Sequence, residues 1–335
     1  MEGVLCATSL LVAAHVSAQP CYPAPPGLIG WWPGDGGAND LAGTNNGILE
    51  GATADTPGVV GTAFWFDGTN DYVAIPDSPA LHPAELTIEA WMRCDLLDTP
   101  TTTSYPGQQY IIFHQNAEMY NFEGFDLAKD RRPIGIATND TWCFEVTSTY
   151  GDNVFVESQT PVRTNVWYHI AGVRGSDYIQ LYVNGNLEAQ TSVDFPVSYG
   201  NLPLYFATTG QSYYDHKYGG ALDEIALYNR ALSASEIAAI YAAGRHGKCK
   251  TPTVLSIAMA TEPAPPQRFP ELLIGGLSGQ ACGIQASASP LAATNTWVGV
   301  TNMTLSGSSN LWLDAAPASG AQRYYRVLPG TIPVP

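Results

Sequence analysis

Residues 61–92 read GTAFWFDGTNDYVAIPDSPALHPAELTIEAWM, and this stretch decides the fold class. Its first half alternates apolar and polar residues into a tight acidic turn, Asp67-Gly68-Thr69-Asn70-Asp71, and alternates again through Tyr72, Ala74 and Pro76. Alternation on both sides of a glycine-containing turn is a hairpin signature. The second half, LTIEAWM, reads as another strand, with Leu86, Ile88, Ala90 and Met92 on one face and Thr87, Glu89 and Trp91 on the other. No nucleophile or metal-ligand cluster stands out, so the stretch speaks of architecture before chemistry.

The 335 residues leave room for one large β domain and a small one. The 33 glycines and 25 prolines, with only 13% charged side chains, suit many short strands joined by turns. A formal net charge of −16 excludes nucleic acid and anionic membrane surfaces as partners, because binding phosphate needs clustered Lys and Arg. A cation or a neutral ligand fits better. The charge is uneven: residues 1–250 carry 27 acidic and 11 basic side chains, whereas residues 251–335 carry 3 of each. That shift places a domain boundary near Lys250.

An apolar run from Val4 to Val16 ends in Val16-Ser17-Ala18, so residues 1–18 are expected to be an export signal cleaved before Gln19. The run has Glu2 where such signals usually carry a basic residue. At about 13 residues it is too short to cross a bilayer. The expectation is a secreted or cell-surface protein with no membrane insertion after signal removal. Five cysteines then remain, and an oxidising compartment allows two bridges and one leftover thiol. The preferred pair is Cys21 with Cys249, which flank the acidic region, because the terminal strands of a closed sandwich often lie side by side. Such a bridge would stabilise by about 5 kcal/mol at most. Cys94 with Cys143 is the second pair, leaving Cys282 alone; reduced buried thiols are the alternative for these three.

Taken in order, LIGWWPGDG gives a first strand with Trp31 and Trp32 before an acidic turn at Asp35, and GILEGATA a short second one. After a polar loop from Asp95 to Gln109 come YIIFHQ, GFDLAKD, PIGIATN, WCFEVTS and VFVES, short strands at sandwich spacing. WYHIAGVRGSDYIQLYVNGNLEAQTS holds two alternating strands around Arg174-Gly175-Ser176-Asp177 and a further turn at Asn184-Gly185, the best hairpin dipeptide in the chain. LPLYFATTG, the loop QSYYDHKYGG and ALDEIALY follow. One helix is predicted: Ser233 and Glu236 form a capping box, Ile237, Ile240 and Tyr241 an apolar stripe, and Gly244 a stop. Beyond Lys250, TVLSIAM, ELLIGGL, CGIQASA, TWVGVT, SNLWLDA and RYYRVLP form a second β unit, with EPAPPQRFP as a surface loop inside it.

The acidic region resembles the LamG-like jelly roll, a branch of the concanavalin A-like lectin and glucanase fold. The matching pieces are GLIGWWPGDGGAND, GTAFWFDGTNDYVAIPDSPAL, LTIEAWM, WYHIAGVRG with LYVNGNLEA, and GGALDEIALYNRALSASEIAAIYAAG. The C-terminal part is similar to a short β module of exported proteins from environmental bacteria. Its landmarks here are Trp297, Asp314 and Arg323-Tyr324-Tyr325-Arg326, with Ala281-Cys282 where an aromatic is more usual. These resemblances imply an all-β protein: a jelly-roll sandwich over residues 19–250, then a small β-sandwich-like module over 251–335.

An enzyme of that fold would need closely spaced carboxylates on one strand face. Glu89 and the pair Asp223-Glu224 lack that spacing, and alternation would point Asp223 and Glu224 to opposite faces. There is no Gly-x-Ser-x-Gly or His-Glu-x-x-His, and His82, His114, His169, His216 and His246 are scattered without ligand spacing. The protein is therefore expected not to be an enzyme. The resemblance implies a structural calcium held by Asp35, the Asp67-Gly68 turn and Asp223, hard oxygen donors of the kind calcium takes. The alternative is that Asp35 and Asp67 cap their own turns and Asp223 makes a buried hydrogen bond. Sugar rings stack on aromatic faces, and the loops supply Tyr105, Tyr110, Tyr120, Trp142, Tyr150, Tyr213, Tyr214 and Tyr218. Tyr213 and Tyr214 are the first choice for a ligand contact, with Tyr218 and Trp142 beside them; the alternative is that they cover the sandwich edge. The expected role is non-enzymatic recognition of a polysaccharide or glycoprotein. A structural or adhesive module with a protein partner is the rival, and a diverged glycan-cleaving enzyme, marked by paired facing acids, a third.

Overall fold

The computed structural model describes residues 21–101, 105–115, 122–131, 139–148, 151–212 and 214–250. Beyond them it describes 254–261, 268–275, 281–287, 297–304, 309–313, 324–329 and 334. The expected signal and all but the last residue of the predicted strand PIGIATN lie outside the described residues.

Along the chain, β1 (Leu28–Trp32), β2 (Ile48–Glu50), β3 (Thr53–Pro57), β4 (Thr62–Asp67), β5 (Tyr72–Ile75), β6 (Leu86–Cys94), β7 (Gln109–Gln115) and β8 (Gly124–Asp130) are followed by seven more strands. These are β9 (Thr141–Thr147), β10 (Asn153–Glu157), β11 (Tyr168–Arg174), β12 (Tyr178–Val183), β13 (Asn186–Ser192), β14 (Leu204–Phe206) and β15 (Gly219–Tyr228). They build two antiparallel sheets. One runs β13-β12-β11-β6-β15-β4-β3, with β1 also on β15; the other runs β10-β9-β8-β7-β14-β5-β2.

The period-two pattern of LTIEAWM holds: Leu86, Ile88, Ala90 and Met92 face the core between the sheets, against Phe64, Phe66, Phe144 and Phe206. The sheets close tightly where β9 crosses β11, for a Cβ on Gly172 would lie 2.3 Å from the Phe144 ring. The expected hairpin across residues 62–76 is not formed. β4 pairs β15 and β3, whereas β5 pairs β14 and β2, so the acidic turn carries the chain from one sheet to the other. Both strands alternate because each presents one face to the same core, Phe64 and Phe66 from one side, Val73 and Ile75 from the other. GILEGATA is likewise divided, β2 joining one sheet and β3 the other. The Asn184-Gly185 hairpin forms as expected, with both residues at positive φ (50° and 78°).

The helix, α1 (Ala234–Ala243), has the full Ser233/Glu236 capping box. Ile237 and Ile240 pack on Trp31, Tyr182 and Tyr228 on the outer face of the eight-stranded sheet. The chain ends of the sandwich meet there. Cys21 and Cys249 are disulfide-bonded with Cα atoms 4.9 Å apart, and Cys249 N donates to Tyr22 O at 2.9 Å. Cys94 and Cys143 carry no disulfide, which corrects the expected second bridge. Cys94 faces the core from β6, whereas Cys143 lies on the far side of the other sheet, with Tyr110, Phe113 and Ala128. Burial pushes the Cys94 thiol up to about 12, keeping it inert.

Beyond Lys250, β16 (Val254–Thr261), β17 (Arg268–Gly275), β18 (Ala281–Ser287), β19 (Val298–Thr304), β20 (Ser309–Leu313) and β21 (Tyr324–Pro329) form two three-stranded sheets, β16-β17-β20 and β19-β18-β21. Among the described residues these strands pair only with one another. Among the described residues, no helix is long and apolar enough to cross a membrane.

Candidate functional site

The four residues expected to hold calcium do not converge. Asp35 Oδ1 accepts from Thr62 N at 2.9 Å, and Asp67 sits at the other end of β4, about 16 Å away at roughly 3.3 Å per residue. Asp67 caps its own turn, accepting from Thr69 N at 2.7 Å and Asn70 N at 3.2 Å, with Gly68 at a φ of 79°. Ammonium groups stand where a cation would. Lys250 Nζ lies 2.7 Å from Asp35 Oδ2 and 2.6 Å from Glu224 Oε1. Asp223 accepts from Val60 N at 2.8 Å, and burial together with neighbouring Glu224 pushes its carboxyl up to about 8. With Asp67 at the far end of β4 and Asp35 paired to Lys250, the expected residues offer no common point for a calcium ion.

Glu224, which Lys250 links to Asp35, belongs to a buried charge network under the disulfide. Lys248 Nζ donates to Glu89 Oε1 at 2.8 Å and lies 3.5 Å from Glu224 Oε2, while His169 Nε2 lies 3.0 Å from Glu89 Oε2. Burial opposes the Glu89 charge, yet Lys248 and His169 hold the carboxyl below its usual range. The expectation that Asp223 and Glu224 face opposite ways fails at a β-bulge. The pairing of β15 with β6 shifts between Asp223 and Ala226, and Glu224 takes a φ of 56°. Leu222 and Ile225 both reach the core, leaving the two acids between them on the other side.

Of the aromatics expected to touch ligand, Trp142 and Tyr218 are completely buried, which corrects both assignments. Trp142 occupies an inward position of β9 and meets Tyr168 edge-to-face at 5.5 Å; Tyr218 packs on Phe66 at 6.4 Å. Tyr213, Tyr120 and Tyr150 lie outside the described residues. Tyr214 is 38% exposed, with its ring 6.1 Å from Phe122 and 6.0 Å from His216. Tyr105 is 54% exposed on the neighbouring loop. Tyr105, Phe122 and Tyr214 all hold positive φ, 53°, 45° and 52°, a conformation that costs a bulky residue energy and collects at ligand-binding loops. Asp215 fixes the Tyr214 loop by accepting from Thr208 Oγ1 at 2.6 Å and Thr209 N at 3.0 Å and by pairing with Lys217 at 2.8 Å. Lys217 in turn lies 5.3 Å from the Tyr72 ring centre.

Beside this loop lies the face of the seven-stranded sheet turned away from the core. Its register lines up one residue from each strand: Phe155, Glu145, Asp126, Phe113, Tyr205, Ala74 and Ile48 are successive cross-strand partners from β10 to β2. Cross-strand partners stand about 5 Å apart at Cβ, so the row is a continuous strip, two acids flanked by aromatics. Tyr72 meets Tyr205 edge-to-face at 6.3 Å beside it. Glu145 is partly exposed, whereas Asp126 is 2% exposed. Phe113 is completely buried, so stacking on sugar rings falls to the partly exposed Phe155 and Tyr205, with Glu145 to receive hydroxyl hydrogens. Sequence reasoning missed Asp126 and Glu145, because it treated acids strand by strand and the register that joins these two belongs to the folded sheet.

Comparison with known proteins agrees with this architecture. A profile of the concanavalin A-like lectin/glucanases superfamily matches residues 67–238. The binding domain of Paraclostridial Mosquitocidal Protein 1 is similar, with a TM-score of 0.51 at 13% identity over 89% of this chain and 70% of that one. Domain 4 of AbnA, a GH43 extracellular arabinanase from Geobacillus stearothermophilus seen with arabinotriose, gives a TM-score of 0.48 at 17% identity over 63% of this chain and 97% of that one. A search of curated protein sequences finds no match. With that profile covering more than half of the residues and the antiparallel sandwich beneath it, the chain belongs to the concanavalin A-like lectin/glucanase superfamily.

Proposed function

We propose that the protein is an exported, non-enzymatic carbohydrate-binding module, taking a polysaccharide or the glycan of a glycoprotein along the outer face of the seven-stranded sheet. The observation that carries this reading is the cross-strand strip on which Phe155, Glu145 and Tyr205 are partly exposed, with Tyr214 and Phe122 displayed in strained conformations at its rim. Aromatic faces supply stacking and Glu145 an acceptor for sugar hydroxyls, while a chain of net charge −16 favours neutral glycans over acidic ones. The Cys21–Cys249 bridge supports the export reading, since such bonds persist in oxidising compartments.

Retention of the chain on a panel of soluble and insoluble polysaccharides, with calcium and again with chelator, tests the proposal. Retention on one glycan that falls at least tenfold in Tyr214→Ala and Glu145→Gln supports it. No retention on any glycan turns the reading to an adhesive module with a protein partner. The Asp126–Glu145 pairing, two acids opposite each other on one sheet face, also favours a second reading, glycan cleavage, which uses a pair of facing carboxyl groups. The burial of Asp126 favours binding over that chemistry. Release of reducing sugar, lost in Glu145→Gln, would reverse the preference.

A further inference from the structure

His82 and His114 lie 32 positions apart in the chain, and the fold brings them together with Asp77. One donor atom from each of the three lies within 4.8 Å of the other two. Asp77 and His82 flank a single 3-10 turn, Pro79–Leu81, capped by Ser78, whose Oγ accepts from Ala80 N at 3.3 Å, and anchored by fully buried Leu81. Both ends of that turn are therefore fixed, with His82 Nε2 2.7 Å from Asp77 Oδ1. His114 reaches the same point from β7 and is 3% exposed.

The state of the His114 ring carries the argument. Its Nδ1 is buried with no hydrogen-bond partner. A buried imidazole nitrogen without a partner is costly in an ordinary core. A bound ion would give such a nitrogen its partner, as it does for the imidazole ligands of metal sites. Tyr199 completes the support. Its ring stacks flat on His82, with centroids 4.8 Å apart and planes 1° from parallel, and lies 5.3 Å from the His114 ring. Its hydroxyl donates to Pro83 O at 2.8 Å.

We infer that Asp77, His82 and His114 form a binding site for a divalent transition-metal ion of the zinc class. Two imidazoles and one carboxylate suit such an ion and not calcium or magnesium, which take oxygen donors. Bond lengths near 2.0–2.2 Å require the donors to close inward by about 1 Å, which the exposed Asp77 side chain can supply. Three protein ligands leave one position of a four-coordinate ion for water or an oxygen donor, on the partly exposed side where Asp77 and His82 show 26% and 25% of their side chains. The ion would join the segment after β5 to β7 and displace the Asp77–His82 hydrogen bond.

The test is titration of the chelator-treated full chain with zinc(II) by calorimetry and with cobalt(II) by visible absorption. One equivalent of zinc, cobalt bands of four-coordinate intensity and a melting midpoint raised by about 5–10 °C at hundredfold saturation are expected, with calcium giving no shift. Asp77→Asn and His82→Asn, both at partly exposed positions that the fold tolerates, should each weaken zinc at least tenfold, whereas His246→Ala should not. No saturable zinc binding, or zinc and cobalt binding unchanged in both ligand variants, overturns the assignment.

Discussion

Asp223→Asn isolates a buried acid whose carboxyl is pushed far above its ordinary range. Asp223 is fully buried at the bulge of β15, its Oδ2 accepts from Val60 N, and its Oδ1 has no partner. Burial, then the neighbouring Glu224 charge, pushes its carboxyl from 3.8 up to about 8, against the pull of the Val60 hydrogen bond and of Lys250. Between those values the folded state holds a proton that the unfolded chain has lost. The folded state then binds more protons, so this group's contribution to stability falls as pH rises from about 4 to about 8. Some four pKa units at about 1.4 kcal/mol each give a loss on the order of 5 kcal/mol across the window. Asn copies the shape of the neutral acid and does not titrate. His114, which burial and His82 push down to about 4, adds the opposite slope below about pH 6.5, but it does so in both proteins. The measurement is urea unfolding of both proteins at about pH 5, 6, 7 and 8. The variant should gain on the parent by roughly 1.4 kcal/mol per pH unit. A difference that stays flat across the series would refute the reasoning, since Asp223 would then be ionised in the fold throughout.

Lys248→Met should cost about 3–5 kcal/mol in denaturant unfolding, because it leaves the carboxylates of Glu89 and Glu224 buried without their shared ammonium. Adding Glu89→Gln should recover part of that loss; a neutral single variant would contradict the network. Reduction of the Cys21–Cys249 bond, which spans 228 residues, should lower stability by about 2–5 kcal/mol in the same assay, and an unchanged midpoint would mean the ends are held by other contacts. Tyr214→Gly relieves a positive φ and should raise stability by about 1 kcal/mol while weakening glycan retention. Loss of both stability and retention would show the loop to be structural only.

How far the sequence discloses this protein depends on whether a feature is local. The Ser233/Glu236 box, the Asn184-Gly185 turn and the two faces of LTIEAWM are written in neighbouring residues, and each forms as the pattern predicts. The Cys21–Cys249 bridge was legible because a closed sandwich brings its ends together. The turn at Asp67-Asp71 links two sheets and not two strands of a hairpin, because alternation reports that a strand has one buried face, and not which sheet it joins. Asp223 and Glu224 were assigned to opposite faces because a bulge with Glu224 at positive φ leaves no signature in ALDEIALY. Trp142 and Tyr218 read as loop aromatics, though an amphipathic ring serves the core equally well. The Asp126–Glu145 pair and the Asp77–His82–His114 cluster both depend on strand register and sheet order, which no local window contains.

The most direct test of the account is equilibrium binding of the chain to the glycan that retains it, comparing the parent protein with Tyr214→Ala and Glu145→Gln. Recognition along the outer strip predicts at least a tenfold loss of affinity in each variant, with the melting midpoint of Glu145→Gln unchanged. Full affinity in both variants, on a glycan the parent binds, would place recognition elsewhere on the molecule and contradict it.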